Sequence, residues 1–462
     1  MLFVAVDDLR PEFGAYGNSY VHSPNLDRLA SRGMTFTRAY CQQAVCSPSR
    51  SSLLTGTRPD TTKVYDLQTH FRKALPDVVT LPQHFKQNGY FVQGLGKLYH
   101  DLLDDPRSWS VPWTNPQPRH GTYGSAESWA IVQARAAAVK NLPTKPGAAK
   151  VRVFGPAFES AEVPDNTFSD GLLAEMAVAA LRECAKKDQN FWLGVGFFRP
   201  HLPFVAPKRY WDLYDPVKIE LAANPYPPKG APAYALLPSG ELHEYHGIPA
   251  GPIPDDLARR LKHGYYAAIS YMDAQLGKVL DELERLGLAD NTIVVLWGDH
   301  GWKLGEHAAW CKQSNVENDT NAPLLISVPG MNTAGQKTQS LAEFVDIYPT
   351  LAELCGLPLP DHLEGASLVP VLRDPKASVK PAAFSQYPRS VEGRQLMGCS
   401  MRTDRYRLTC WVRRHDPSHI EAVELYDERA DPQENQNIAH DPKNADLVAT
   451  LTEQWRQGWH SK

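Results

Sequence analysis

Hydrophobic residues follow two spacing patterns that alternate from the start of the chain. Short apolar runs predict buried strands at residues 1–6, 191–196, 292–297 and 323–328. Apolar residues three or four positions apart predict a long helix over residues 257–283, which Gly287 ends. Because alternating strands and helices are typical of a mostly parallel sheet covered on both faces, we predict an α/β fold with a large sheet between helices.

Shorter helices are predicted from the residues at their ends. Ser23 is suited to the N-cap of a helix whose first residue is Pro24, and Gly33 ends its pattern. Residues 80–86 resemble a second capped helix, and residues 168–186 predict a third, each followed by a strand pattern. The alternation of an α/β fold therefore continues between the longer elements.

Two stretches depart from this pattern. Residues 112–164 are rich in Pro, Gly and Ala, and residues 203–254 are again rich in Pro. Such composition favours irregular surface segments over helices or strands. We predict that both stretches form loops, and that loops over the active face would shape the substrate pocket.

From about residue 381, short strand patterns replace the alternation of strands and helices. Strand patterns at residues 384–388, 398–414 and 423–426 come before a helical pattern at residues 444–455. We therefore predict two units, a catalytic domain over residues 1–380 and a smaller C-terminal α+β subdomain with an antiparallel sheet over residues 381–462.

The composition excludes several classes of partner and site. A formal net charge of −4 over 462 residues lacks the basic excess of nucleic-acid-binding proteins, so no nucleic-acid partner is expected. No apolar run reaches the roughly 20 residues that cross a bilayer, so no membrane span is expected. The seven cysteines are scattered, without a C-x-x-C pair, and indicate neither a disulfide framework nor a zinc site.

The first residues already form a strand pattern, with no basic segment, apolar leader or cleavage site before it. Two locations are therefore compatible with the sequence. The protein is cytoplasmic if Met1 is its native start. It is periplasmic, secreted or lysosome-like if a signal peptide was removed.

Polar residues follow two of the predicted strands directly. Asp7 and Asp8 come after the first strand, and Asp299 and His300 come after the strand that ends at Trp297. Active sites of α/β proteins lie beyond the carboxyl ends of strands. For either pair alone, a solvated turn or a cap is the better explanation. Together, three carboxylates and one imidazole are suited to a hard divalent cation.

A third candidate is Cys46, which precedes a predicted helix. Ser47 would lie at or near the N-cap, and Pro48 would lie in the first turn. Backbone N–H groups at such a helix start are suited to a tetrahedral oxyanion, and Arg50 would add a bidentate partner for two anion oxygens. The alternative is a buried structural cysteine before an ordinary helix.

The local sequence makes that alternative much weaker. The pattern Cys-x-Pro-Ser-Arg-x-x-Leu-Leu-Thr-Gly at residues 46–56 resembles the signature of type I sulfatases, the formylglycine-dependent branch of the alkaline-phosphatase-like superfamily. Residues 6–11, 298–302 and 385–389 resemble its iduronate-2-sulfatase subgroup in particular. The resemblance implies an alkaline-phosphatase-like sandwich, in which a large sheet lies between helices.

The resemblance also implies a set of site residues. A maturing enzyme would oxidise Cys46 to formylglycine, whose hydrate attacks sulfur with one hydroxyl and expels sulfate with the other. A divalent cation, Ca²⁺ or alternatively Mg²⁺, would be held by Asp7, Asp8, Asp299 and His300 together with the modified Cys46. The remaining implied catalytic residues are Arg50, Lys97, His100, His201 and Lys312.

The implied roles of these residues follow the chemistry of a sulfate ester. The cation and the Arg and Lys side chains stabilise charge on the nonbridging oxygens. Either His201 or Lys312 would protonate the leaving sugar oxygen, and His100 would take the proton from the second hydroxyl. The choice between His201 and Lys312 is open at this point.

The implied partners are a sulfated saccharide, with 2-O-sulfate on a uronic acid as the favoured substrate, and a formylglycine-generating or anaerobic sulfatase-maturing enzyme. Residues 113–164 match nothing in the family pattern, so another sulfated polysaccharide is an alternative substrate. Three further alternatives are a phosphate or phosphonate ester hydrolase of the same superfamily, an inactive carbohydrate-binding protein and a hydrolase with a cysteine nucleophile.

Overall fold

A seven-stranded sheet forms the centre of the molecule. The computed structural model describes residues 1–119, 121–140, 152–236 and 240–460. The strands in chain order are β1 Leu2–Val6, β2 Met34–Phe36, β3 Phe91–Gly96, β4 Phe191–Phe197, β5 Val294–Gly298, β6 Leu324–Ser327 and β7 Lys337–Thr338. Their order across the sheet is β7-β2-β6-β5-β1-β4-β3. Only β6 runs antiparallel to its neighbours in this sheet, which confirms the predicted mostly parallel sheet.

Helices cover both faces of the sheet, as predicted. Successive residues of a strand point to opposite faces, and in β1 Val4 and Val6 belong to one apolar core while Phe3 and Ala5 belong to another. Burial on both sides explains why β1 is apolar throughout. The longer helices in chain order are α1 Pro24–Arg32, α2 Cys46–Thr55, α3 Leu81–Gln87, α4 Ala126–Lys140, α5 Ser169–Ala185, α6 Asp255–Arg285, α7 Ile347–Leu354 and α8 Ala445–Gln457.

The apolar residues of these helices divide between the two cores. Helices α1, α5 and α6 pack on one face of the sheet, and α2, α3 and α7 pack on the other. The predicted start of α1 is confirmed, with Ser23 at its N-cap and Pro24 as its first residue. Within the described ranges, no helix combines the length and the apolar composition needed to cross a membrane.

The two Pro-rich stretches contain regular structure, so their prediction as loops was wrong in part. The first contains α4 and the strand Phe158–Ala161, which pairs in parallel with Phe204–Pro207 of the second. Helix α4 is rich in Ala and buries almost none of its residues, so it has no apolar stripe that a sequence pattern would reveal. Residue 120 and residues 141–151 of the first stretch lie outside the described residues.

The short helices are one turn or slightly longer. They are Pro59–Thr62, Lys208–Trp211, Gly240–His243, Glu317–Thr320 and Val369–Arg373. Two further pairs of very short strands join Ala39–Tyr40 to Ala342–Glu343 and Lys303–Leu304 to Trp310–Cys311.

A four-stranded antiparallel sheet forms the C-terminal part of the chain, as predicted. Its strands are β8 Ala382–Val391, β9 Arg394–Thr403, β10 Tyr406–Arg413 and β11 Asp416–Asp427, and α8 packs against it. The single strand predicted over residues 398–414 was wrong, because a turn at Asp404 and Arg405 divides it into β9 and β10. The division into two domains near residue 381 stays a prediction.

A close backbone approach between β3 and β4 yields a test of this packing. A Cβ atom on Gly196 would overlap the backbone of Lys97, whereas one on the exposed Gly251 would meet open space. We expect Gly196→Ala to lower the free energy of unfolding by about 1–3 kcal/mol, because overpacking forces the backbone to shift. Thermal or denaturant unfolding measures the change, and Gly251→Ala is the control. Equal stability of the two variants would contradict this packing.

Candidate active site

Strands β1 and β5 bring the two predicted acidic pairs together. They are parallel neighbours, with Val6 opposite Gly298, so the residues that follow them lie at the same edge of the sheet. The backbone N–H of Asp8 donates to Oδ1 of Asp299 at 3.0 Å, and Nε2 of His300 lies 3.3 Å from Oδ1 of Asp8. These side chains are fully buried. The carboxylates therefore converge inside the protein rather than in a solvated turn.

Cys46 is the first residue of helix α2 and faces the same cluster. Its Sγ atom lies 3.4 Å from Nε2 of His300 and 4.0 Å from Oδ1 of Asp8. The N-cap is Val45, whose backbone is extended, so Ser47 lies near the cap, as predicted, but does not itself cap the helix. The chain enters the helix at Cys46 itself and places Ser47 inside the first turn.

Arg50, one turn further along α2, lies beneath the acidic pairs and is fully buried. Its Nε donates to Oδ2 of Asp299 at 2.9 Å, and its Nη2 donates to Oδ1 of Asp7 at 3.0 Å. Nη1 donates to the carbonyls of Lys97 and Leu98. The sequence context predicts that this guanidinium binds two anion oxygens of a substrate. In the structure its planar fork instead joins the carboxylates at two strand ends.

Two lysines extend the charged cluster. Nζ of Lys97 donates to Oδ2 of Asp7 at 2.5 Å and lies 4.0 Å from Sγ of Cys46. Nζ of Lys312 lies 3.0 Å from both carboxylate oxygens of Asp8 and 4.7 Å from the centre of the Trp302 ring. Both lysines are therefore buried cations with defined partners, although their sequence context alone would suggest solvated charges.

The two histidines predicted as catalytic, His100 and His201, differ in their relation to the acidic pairs. Nε2 of His201 is 3.8 Å from Oδ2 of Asp8, so this ring joins the cluster. His100 follows Lys97 closely in the chain, and in the described part of the molecule it belongs to neither compact group of potential metal ligands. Burial and the charge of Lys97 lower the pKa of His100 to about 4, so its imidazole is neutral at neutral pH.

Glu241 is a site residue that the sequence analysis missed. It lies in the short helix Gly240–His243, within the second Pro-rich stretch. Its Oε1 is 3.2 Å from Nε2 of His201 and 3.1 Å from Nζ of Lys312. Neither a motif nor a periodic pattern marks this residue, because its relation to the site arises only when the loop folds back over the strand ends.

The charges of the site are crowded. Within the described ranges they comprise four carboxylates and three cationic side chains, which belong to Asp7, Asp8, Glu241, Asp299, Arg50, Lys97 and Lys312. Burial, with the neighbouring carboxylates, raises the pKa of Asp8 well above its usual range despite the contact with Lys312. Burial alone would also raise the pKa of Asp7, but Lys97, His201 and Arg50 hold it well below that range.

The same surroundings affect the thiol of Cys46. Burial raises the pKa of this thiol well above its ordinary value, and the carboxylates of Asp7 and Asp299 add to the effect. The positive charges of Lys97 and Lys312 act in the opposite direction without reversing it. The neutral thiol is therefore favoured, and a thiol in this state is a poor nucleophile.

The donor set fits a divalent cation. Ligand atoms of Asp8, Cys46, Asp299 and His300 lie within 4.8 Å of one another, and Asp7 joins an overlapping group. Carboxylate oxygens with one imidazole suit Ca²⁺ or Mg²⁺ better than a softer metal. Burial, together with the carboxylates of Asp7, Glu241 and Asp299, raises the pKa of Asp8, and a bound cation would favour the charged form of this carboxylate instead.

Comparison with known proteins agrees with this geometry. A family model described as Sulfatase matches residues 1–357, and a model of the C-terminal part of N-sulphoglucosamine sulphohydrolase matches residues 305–460. The chain belongs to the sulfatase family. Iduronate 2-sulfatase of Mus musculus is 36% identical over 98% of this chain and 92% of its own length. Iduronate 2-sulfatase of Homo sapiens is 34% identical over 98% of this chain and 93% of its own length.

These matches confirm the resemblance to the iduronate-2-sulfatase subgroup, and this sulfatase is a sulfuric ester hydrolase. Solved structures confirm the predicted alkaline-phosphatase-like sandwich. A 2-O GAG sulfatase superposes with a TM-score of 0.76 at 23% identity, covering 99% of this chain and 91% of that one. A phosphonate monoester hydrolase from Silicibacter pomeroyi superposes with a TM-score of 0.77 at 22% identity, and the superposition covers 99% of this chain and 94% of that one.

The metal site yields a second prediction. Asp299→Asn removes one carboxylate charge from the donor set and from the contact with Arg50. We expect Ca²⁺ affinity to fall by at least about 10–100-fold, the loss typical even of groups that only orient metal ligands. Turnover should fall with it. Calorimetric titration of chelator-treated protein with Ca²⁺ measures the affinity.

Asp273→Asn is the matched control, because Asp273 is also buried but caps helix α1 through the N–H of Leu26 at 2.7 Å. This variant should lose stability without losing Ca²⁺ affinity. Unchanged Ca²⁺ binding in Asp299→Asn would contradict the assigned donor set.

Proposed function

We propose that this sulfatase hydrolyses sulfate esters of saccharides, with 2-O-sulfate on a uronic acid as its preferred substrate. The observation that carries the proposal is the position of Cys46. Its Sγ lies at 3.4–4.0 Å from His300, Asp8 and Lys97, where both acidic pairs and a lysine meet. A nucleophile at this position would face a bound divalent cation on one side and a buried cation of the protein on the other.

In this proposal Cys46 is a precursor rather than the reacting group. Its raised pKa and full burial disfavour a thiolate, which argues against the alternative of a cysteine nucleophile. Formylglycine made from Cys46 would supply a hydrated aldehyde, in which one hydroxyl attacks sulfur and the other allows sulfate to leave. A formylglycine-generating or anaerobic sulfatase-maturing enzyme is therefore a required partner.

The metal-binding role falls to the residues at the two strand ends. Asp7, Asp8, Asp299 and His300 would hold the cation, with Ca²⁺ favoured over Mg²⁺. When bound, the cation would supply Lewis-acid stabilisation of charge on a sulfate oxygen. Arg50 orients two of these ligands from below through its contacts with Asp7 and Asp299.

The remaining residues handle the substrate and its protons. Lys97 and Lys312 provide positive charge for the nonbridging sulfate oxygens. His201 or Lys312 would protonate the leaving oxygen, and the neutral imidazole of His100 is suited to accept a proton. A bound divalent cation would turn the balance of four carboxylates and three cations slightly positive, which suits the single negative charge of a sulfate monoester.

The choice of substrate is supported by the relatives. Two iduronate 2-sulfatases match nearly the whole chain at 34–36% identity. Another relative, a sulfatase of Formosa agariphila, is 32% identical over 98% of this chain and 85% of its own length. The second candidate is a different sulfated polysaccharide, because residues 113–164, which would help to shape the pocket, match no sequence pattern of the family. Phosphonate hydrolysis is a third candidate, which the fold shared with the Silicibacter pomeroyi enzyme keeps open.

Paired assays on protein produced with a maturing enzyme test the reaction. We expect faster hydrolysis of p-nitrophenyl sulfate than of p-nitrophenyl phosphate or a phosphonate monoester. Among sulfated disaccharides, one with a 2-O-sulfated uronic acid at its non-reducing end should react faster than one with a 6-O-sulfated glucosamine. Release of sulfate or phosphate measures each rate.

Cys46→Ala should remain folded and lose activity, because the precursor of the nucleophile is gone. Cys184→Ala is the control, since Cys184 is also buried but lies in helix α5, away from the acidic pairs. A dominant phosphatase or phosphonatase rate would overturn the sulfatase proposal, and a preference for the 6-O-sulfate would overturn the choice of substrate.

A further inference from the structure

Glu241 contacts both side chains that are candidates to protonate the leaving oxygen. Its Oε1 is 3.2 Å from Nε2 of His201 and 3.1 Å from Nζ of Lys312, and its Oε2 is 3.0 Å from the same Nζ. One carboxylate therefore lies in contact with both candidate side chains. The side chain is partly exposed, so part of it lies open to solvent beside the buried cluster.

The segment that carries Glu241 is anchored in the main core. Leu242 and Tyr245 are 1% and 5% exposed and belong to the same apolar cluster as β1. The ring of Tyr245 packs on Phe154 with their centres 4.9 Å apart. The backbone N–H of His246 donates to the carbonyl of Gly155 at 2.8 Å. Moving this backbone would expose apolar residues, so Glu241 is a constant part of the site rather than a mobile cover.

Lys312 depends on its carboxylate partners for its position. The residues on either side, Cys311 and Gln313, have φ angles of 68° and 87°, a left-handed conformation that costs free energy in non-glycine residues. Among the described residues, the carboxylates that pair with Nζ of Lys312 are those of Asp8 and Glu241. Since Asp8 would also be a metal ligand, Glu241 is the partner of Lys312 that lies outside the proposed metal-binding set.

The ring of His201 is fixed from two sides. Its Nδ1 lies 2.6 Å from the carbonyl oxygen of Leu202, and its Nε2 faces Oε1 of Glu241. The carbonyl alone would allow the ring to swing about that contact. The second contact, with Glu241, sets the direction in which Nε2 points.

We propose that Glu241 is a positioning residue that orients Lys312 and His201 towards the leaving oxygen of the substrate. This inference rests on the proposed sulfatase function and goes beyond it by assigning a residue to one part of the reaction, the departure of the alcohol. Glu241 does not touch the sulfur or the nucleophile in this account. It acts through the two donors that it holds.

The role predicts a dependence on the leaving group. A sugar alcohol is a poor leaving group and needs a well-placed proton donor, whereas p-nitrophenol leaves readily without one. We expect Glu241→Ala to lower kcat by about 10²-fold on a 2-O-sulfated disaccharide, within the usual contribution of general acid catalysis. On p-nitrophenyl sulfate the loss should be several-fold smaller. KM should change little on either substrate.

Two further variants keep the test specific. Glu241→Gln keeps the size of the side chain and one acceptor oxygen. Its kcat on the disaccharide should therefore lie between that of the wild type and that of Glu241→Ala. Glu244→Gln removes the same charge from an exposed position of the same segment and should leave both rates unchanged. Thermal unfolding and Ca²⁺ content are measured for every variant, and both should match the wild type.

The results separate the inference from the function on which it rests. Equal loss of kcat on both substrates would overturn the positioning role, because the variant would then act on a step that both substrates share. Unchanged kcat on the disaccharide would overturn it as well. A wild-type enzyme with formylglycine at position 46 that hydrolyses neither sulfate would overturn the proposed function and the inference together.

Discussion

The buried guanidinium of Arg50 holds together the two strand ends on which the site is built. Asp7 and Asp299 follow neighbouring parallel strands, and two carboxylates at such positions repel each other in a region without water. Arg50 donates to both, is fully buried, and lies over the ring of Trp297 at 5.6 Å. Because Arg50 and Cys46 belong to the same helix, this pair of contacts also fixes the carboxylates relative to Cys46.

The C-terminal sheet contributes to the same arrangement from the other side. The hydroxyl of Ser385 donates to the carbonyl of Cys41 at 2.6 Å, which fixes the segment leading to Cys46. Arg389 donates to the carbonyls of Gln313 and Ala235, at 2.5 and 3.1 Å. These carbonyls lie beside Lys312 and in the Pro-rich stretch that carries Glu241. The small sheet thus stabilises segments next to Cys46, Lys312 and Glu241.

Much of the fold and the centre of the site could be predicted from the sequence, because both depend on local patterns. Apolar runs marked the strands, and the acidic pairs followed strand ends directly. The contacts of Arg50 and the presence of Glu241 could not be predicted, since they depend on how distant segments meet. Helix α4 was missed for a different reason, because it has no apolar stripe. The N-cap at Val45 depends on its extended backbone, which no side-chain preference signals.

The central claim is that Cys46 acts only after conversion to formylglycine. Peptide mass spectrometry across Cys46, combined with activity measured on the same preparations, tests it most directly. Preparations made with different amounts of maturing enzyme should contain different fractions of the aldehyde, and activity should rise in proportion to that fraction. Fully active protein that retains an unmodified thiol at Cys46 would contradict the account.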